Sequence, residues 1–189
     1  KSYRRIVESF YEEMNKRKKK KYKTVKDAIG DLPKILPTKK NGKISHRAVS
    51  KFSEHSPRFH NERDIKIFKL LAKDIESGKN KFTSTQALKE VYKKFTNRES
   101  SVHKYNVIRW NEPSNTIPAH LYKDGLRHIH PDPLQARSIT VREAARIQSF
   151  DDDFEFLGSR GDQYKMIGNA VPPAFSKIIA EVILNLYNE

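Results

Sequence analysis

The sequence predicts an α+β fold, with helices at both ends of the chain and a small antiparallel sheet between them. Apolar residues recur at three- and four-residue spacing in Arg63–Ser77, in Thr85–Phe95 and again near the C-terminus. That is the period of a helix with one buried face. Between them, Asn106–Trp110 is β-branched and aromatic, with turn residues at Pro113 and at Lys123-Asp124-Gly125. Such runs, so punctuated, read as short strands.

The first segment, up to about Lys23, reads as a charged helix or a loosely held arm. Ile6, Val7, Phe10, Tyr11 and Met14 make one apolar face, and the run KRKKKKYK at Lys16–Lys23 follows. Like charges this dense repel one another and stay solvated. In Thr24–Pro37 a short helix ends near Gly30, closed by prolines. Thr38–Ser45 reads as a loop turning at Asn41-Gly42. For Arg63–Ser77, Asn61 is the expected N-cap, Asp64 sits in the first turn and Gly78 is the stop. Leu88, Val91, Tyr92 and Phe95 form the stripe of the next helix. Three short strands are then expected: Asn106–Trp110, Asn115–His120 and Leu126–His130, the last two joined by the Lys123-Asp124-Gly125 turn. Thr140-Val141-Arg142-Glu143 is a capping box, in which hydroxyl and carboxylate each satisfy the other's backbone amide. The last helix starts after Pro172-Pro173 and carries Phe175, Ile178, Ile179, Val182 and Leu186 on one face. A stripe this apolar must pack on something large.

Composition points to a partner. The 189 residues carry a net charge of +15, and only 36% are hydrophobic. A balance this basic favours a polyanion, nucleic acid first and an anionic membrane surface second. No apolar run approaches the roughly 20 residues of a membrane span, and no signal peptide is visible. The first residue is Lys1, which fits a fragment, a processed product or part of a longer polypeptide. With no cysteine, disulfides, thiolate metal sites and cysteine nucleophiles are excluded within these residues. There is no phosphate-binding glycine loop and no His-Glu-x-x-His. His128 and His130 share a strand face, but nothing completes a metal site. They are expected at a polar surface or against DNA. Asp151-Asp152-Asp153 reads as a solvated turn. Asn41, Lys43, Ser45, Arg47 and Asn97 are loop residues able to reach base edges.

Three strings narrow the reading: EPSNTIPAHLYKDGLRHIHPD at Glu112–Asp132, RSITVREAARIQSF at Arg137–Phe150 and QYKMIGNAVPP at Gln163–Pro173. In this order they resemble the end of the DNA (cytosine-5)-methyltransferase family: the close of the target-recognition region, the ninth motif and the tenth. The likeness is dense over Asn106–Glu189. It is thinner upstream, at VKDAIGDLP and HSPRFHNERDIKIFKLL.

The resemblance implies three parts: a basic N-terminal segment or linker at 1–36, a target-recognition domain at 37–136, and ninth- and tenth-motif helices at 137–189. These last would complete a Rossmann-like methyltransferase domain lying outside these residues, on which the final helix would pack. The resemblance gives Thr116 and Ile117 a role at the flipped target nucleotide. With them, His120, Lys123, Lys43 and Arg47 are expected on DNA. Arg137, Thr140, Arg142, Glu143 and Arg146 match the ninth motif, which organises the recognition region and is structural. Gly168, Asn169, Ala170 and Val171 match the tenth, which closes one side of the S-adenosylmethionine pocket. No residue here is expected to be catalytic, and no metal is expected. The family's glycine-bearing first motif, Pro-Cys nucleophile, Glu-Asn-Val motif and Arg-bearing eighth motif are not in this sequence. In the family the target cytosine is flipped out, a cysteine thiolate attacks C6, a glutamate assists at N3 and C5 takes the methyl group. The chain alone is therefore expected to be inactive. The missing half would be an earlier stretch of the same polypeptide or a separate subunit. The setting implied is the bacterial cytoplasm and nucleoid, within a restriction-modification system. The alternative is a stand-alone, sequence-selective DNA-binding module. One departure is Asp151, where many members have proline.

Overall fold

The described residues form seven α-helices and one hairpin, some foreseen by these local rules and some not. They are seen in a computed structural model that describes residues 3–18, 21–40, 42–47, 52–102, 105–123 and 125–188. The helices are α1 (Tyr3–Lys16), α2 (Val25–Ile29), α3 (Glu62–Glu76), α4 (Thr85–Thr96), α5 (Val141–Ile147), α6 (Arg160–Asn169) and α7 (Pro173–Asn188). The strands are β1 (Pro37–Lys40) and β2 (Lys43–His46), antiparallel, with Thr38 opposite Ser45 and Lys39 opposite Ile44. The caps expected at Asn61 and Thr140 form: Asn61 accepts from the Asp64 amide at 2.9 Å, and Thr140 closes a capping box. Thr24 closes a second, unforeseen capping box at α2. Gly78 stands at φ +69° just past α3, a left-handed conformation that glycine adopts without cost.

Two buried clusters organise these elements. Val25, Ile29 and Leu32 pack with Ile108, Ile117, Leu121, Ile139, α5 and the Tyr164 and Ile167 side chains of α6. Ile65, Phe68 and Leu71 of α3 pack with Leu88 and Val91 of α4, and with Tyr105, Val107 and Ile129. The 24–35 stretch, within the range expected to be a basic linker, is thus part of a core: Val25, Ile29 and Ile35 are almost fully buried.

The middle of the chain departs from expectation. The three strands foreseen at 106–130 are not there among the described residues. Val107 makes one parallel bridge to Ile129, and Ile129 one antiparallel bridge to Ser138. Ala119–Tyr122 and Gly125–Arg127 are 3-10 turns instead. Val107, Ile117 and Ile129 bury their branched side chains from irregular backbone, so packing has overridden strand propensity. Asp124 of the expected hairpin turn lies outside the described residues. The hairpin forms instead at β1–β2, where a loop was expected. Gly42 turns at φ +76°, and Asn41 lies outside the described residues.

Helices α1 and α7 lie side by side and antiparallel. Arg17 pairs with Glu181 at 2.9 Å, and the other end forms an apolar groove of about 570 Å³ lined by Ile6, Phe10, Ile183, Leu186 and Tyr187. Val182 is buried, but Phe175, Ile183 and Leu184 are each about half exposed. By length and mean hydropathy (1.3), the stretch Arg160–Asn188 could cross a membrane. However, Ala170 is extended at φ −76°, ψ 143°, and divides it into pieces of 10 and 16 residues. Each is short of the roughly 20 that a span needs.

Candidate nucleic-acid and cofactor interface

The site is built around a buried ion pair. Arg137 Nη1 and Nη2 donate to Glu143 Oε2 and Oε1, both at 2.7 Å, and both side chains are essentially sealed from water. Glu143 Oε2 also accepts from the Thr140 amide at 2.7 Å, closing the capping box of α5. Arg137 Nη2 reaches Gln135 Oε1 at 2.7 Å, and that oxygen accepts the Ile35 amide at 3.0 Å. Burial pushes the Glu143 carboxyl up, but the charge and N–H groups of Arg137 outweigh it and hold it well below the usual carboxylate range. Such a pair costs desolvation, yet losing either member would strand a buried charge.

Histidines line this network. His130 Nε2 lies 3.5 Å from Glu143. His55 bridges Thr140 Oγ1 (3.0 Å) and the Pro33 carbonyl (2.9 Å), and His60 Nε2 accepts the Ser138 amide at 3.2 Å. Burial, reinforced by neighbouring cations, lowers His60 and His130 to about 3, so both rings are neutral at pH 7. Expected at a polar surface or on DNA, His128 and His130 are instead buried, each 1% exposed. His128 Nε2 faces the Thr116 carbonyl at 3.2 Å, while His130 Nδ1 accepts the Asp132 amide at 3.1 Å.

Two further arginines tie α5 to the rest. Arg142, 1% exposed, pairs with Glu54 at 2.6 Å and donates to the carbonyls of Asp151 and Phe154. Glu54 sits at φ +62°, strained for a residue with a side chain, and its second oxygen accepts the Phe156 amide at 2.8 Å. Arg146 bridges Asp152 and Asp31, fixing the 151–153 turn to the loop after α2. All five ninth-motif residues thus act on protein. They tie Asp31, 53–55 and 151–154 to α5.

Most of the residues expected on ligands reach the surface, but Ile117 does not. Thr116 is exposed while Ile117 is buried, so only the threonine faces outward. His120 and Lys123 are exposed at the 3-10 turn that follows; Lys43 and Arg47 are exposed on and after the hairpin. Asn97 ends α4 in the left-handed conformation at φ 54°. Asn169 and Val171 are exposed at the α6–α7 elbow. Among the described residues, the Asn169 side-chain amide makes no hydrogen bond.

Gly168 joins the two surfaces. A Cβ at this position would stand 2.5 Å from the Ala119 nitrogen and closer still to the Pro118 carbonyl. Its close approach is therefore to protein. It seats α6 directly on the segment that carries Thr116, Ile117 and His120. Sequence reasoning missed Arg58, Glu54, His55, His60 and Tyr164. The crowding of His and Arg in HSPRFH was the available signal. Arg58 donates to the Leu121 and Tyr122 carbonyls (2.6 and 3.0 Å), and the Tyr164 hydroxyl to the Ile139 carbonyl at 2.8 Å.

Comparison with known proteins bears on the same residues. The family model for C-5 cytosine-specific DNA methylase matches residues 2–185. Type II methyltransferase M.Bpa9945I of Bacillus paralicheniformis is 39% identical over 137 residues, 72% of this chain and 30% of that protein. Type II methyltransferase M1.HphI of Haemophilus parahaemolyticus is 30% identical over 87% of this chain and 37% of its own length. Type II methyltransferase M.AgeI of Thalassovita gelatinovora is 43% identical over 47% of this chain and 20% of its own. The chain thus spans well under half the length of these relatives.

Proposed function

Because the chain belongs to the C-5 cytosine-specific DNA methylase family, we propose that it is the C-terminal part of a DNA (cytosine-5)-methyltransferase. It grips duplex DNA, recognises the target sequence and supplies one wall of the S-adenosylmethionine pocket. The catalytic cysteine lies outside these residues, in an earlier stretch of the same polypeptide or in a separate subunit. The observation that carries this reading is the seating of Gly168 on Pro118–Ala119. It makes the DNA-facing segment and the cofactor-facing elbow one rigid piece.

The elbow suits a partial pocket. Asn169 offers an uncommitted amide and Val171 an exposed apolar face, while Gly168 and Ala170 add no bulk. These residues would hold S-adenosylmethionine from one side only, with the remaining walls on the catalytic half. When bound, the cofactor supplies the methyl group. The chain's own part is positional. Thr116 and the 119–123 turn hold DNA beside the extruded base, and the Arg137–Glu143 clamp keeps that segment in register with α5 and α6. The exposed faces of α1 and α7 pack on the Rossmann-like domain that bears the nucleophile. A stand-alone DNA-binding module would leave that groove open, which favours the enzyme reading. The relatives' names, Type II methyltransferases, suggest a restriction-modification setting in a bacterial cytoplasm.

The test is methyl transfer. Labelled S-adenosylmethionine and mixed-sequence duplex DNA are supplied to each half alone and to both together. Label should enter DNA only with both halves present. If the completed enzyme labels no duplex at any salt concentration, the reading fails.

A further inference from the structure

The 3-10 turn Ala119–Tyr122 is braced from beneath and charged from outside. Beneath it, Arg58 donates to two of its carbonyls and lies 4.2 Å over the Tyr164 ring of α6. Among the described residues no carboxylate pairs with this guanidinium. Outside, the ammonium groups of Lys123 and Lys165 lie 5.5 and 4.7 Å from the centroid of one ring, that of Tyr122. Asp162, 3.4 Å from Lys165, is the one carboxylate paired with these lysines among the described residues. Among the described residues, three cations therefore converge on one turn against one acid. Holding them together raises the local potential, and an arriving anion relieves it. The Tyr122 ring gathers the two ammonium groups, and Asp162 holds one of them, so less order is lost on contact.

We propose that Tyr122, Lys123 and Lys165 form a phosphate-contact platform for duplex DNA, with Arg58 as the positioning residue beneath it. This rests on the DNA-gripping role of the 116–123 segment. It adds a residue of α6, so the helix that ends at the cofactor elbow also touches the DNA backbone.

Phosphate contacts release counterions, and each contributes about 0.9 to the slope of log affinity against log salt. In the completed enzyme, Lys165→Gln should flatten that slope by about 0.9, equally on target and non-target duplexes, because phosphates carry no sequence. Lys165→Arg should restore it. Arg58→Gln should flatten it too, although Arg58 itself reaches no phosphate. Arg58→Lys should not rescue, because an ammonium cannot serve both carbonyls as a planar fork does. An unchanged slope in Lys165→Gln, or an effect confined to the target duplex, would overturn the platform. A lower melting temperature with an unchanged slope in Arg58→Gln would overturn the positioning role. If the unaltered enzyme showed no salt-dependent DNA binding at all, the DNA-gripping reading itself would fall.

Discussion

Replacing Gly168 with alanine separates two roles that one glycine could play. Position 168 is helical, so alanine would ordinarily stabilise it by about 1 kcal/mol through better helix propensity. Here the new methyl would stand 2.5 Å from the Ala119 nitrogen, with the Pro118 carbonyl nearer still. Ordinary carbon contacts are about 3.5–4.0 Å, so α6 and the turn must part by roughly 1 Å. Both obstructing groups are backbone, and proline fixes one of them, so the clash cannot be relieved by a rotamer change. Overpacking of this kind costs about 1–3 kcal/mol, and the upper part of that range exceeds the propensity gain. The expected result in the completed enzyme is a net loss of about 1–2 kcal/mol, read as a fall in melting temperature. A rise in KM for DNA should accompany it, because Thr116 and His120 shift with the turn. If Gly168→Ala melts at or above the parent temperature and only the KM for S-adenosylmethionine changes, the glycine serves the ligand. The reasoning from packing would then be wrong.

Three further outcomes follow from the site. Glu143→Gln leaves the guanidinium of Arg137 buried without its carboxylate and should cost about 3–5 kcal/mol in equilibrium unfolding; a loss below 1 kcal/mol would mean that the pair is not sealed from water. His60 and His130 are neutral when folded, but when unfolded they take up protons near pH 6.5. Their contribution to stability is complete above pH 6.5 and is lost as pH falls towards 3. Between pH 6.5 and 5 this amounts to roughly 2 kcal/mol per ring, and denaturant titrations that show no decline over that window would contradict it. Asn169→Ala should raise the KM for S-adenosylmethionine about 2–10-fold, the value of one hydrogen bond, without moving the melting temperature. A matching loss of stability would make Asn169 structural.

The helices were legible because their signals are local. Asn61 with Asp64, Thr140 with Glu143, and the stripes of α3, α4 and α7 each state a boundary or a face within a few residues. Helix α6 was not anticipated. RGDQYKMIGN buries only Tyr164 and Ile167, too few for a visible period, although Ser159 capping Asp162 was a usable sign. The strands expected at 106–130 misled because Val107, Ile117 and Ile129 are branched residues buried by tertiary packing. In β1–β2 the reverse holds: mostly polar residues pair through the backbone ladder, with Thr38 Oγ1 donating to the Ser45 carbonyl and Ile44 packed on the second cluster, and such a short run gives no alternation to read. In the proposed site, Thr116 and the 168–171 elbow are candidates that the motif resemblance supplies, and Thr116, Asn169 and Val171 are exposed. Arg58 and Glu54 were missed, because they act across 63 and 88 residues of chain on Leu121 and Arg142.

Hydrogen exchange in the completed enzyme tests the division of labour most directly. Duplex DNA should slow exchange across Thr116–Lys123, and a cofactor analogue should slow it at Gly168–Val171. The catalytic half should protect α1 and α7 whether or not either ligand is present. DNA protection confined to the basic stretch before α2, with 116–123 unchanged, would contradict the account.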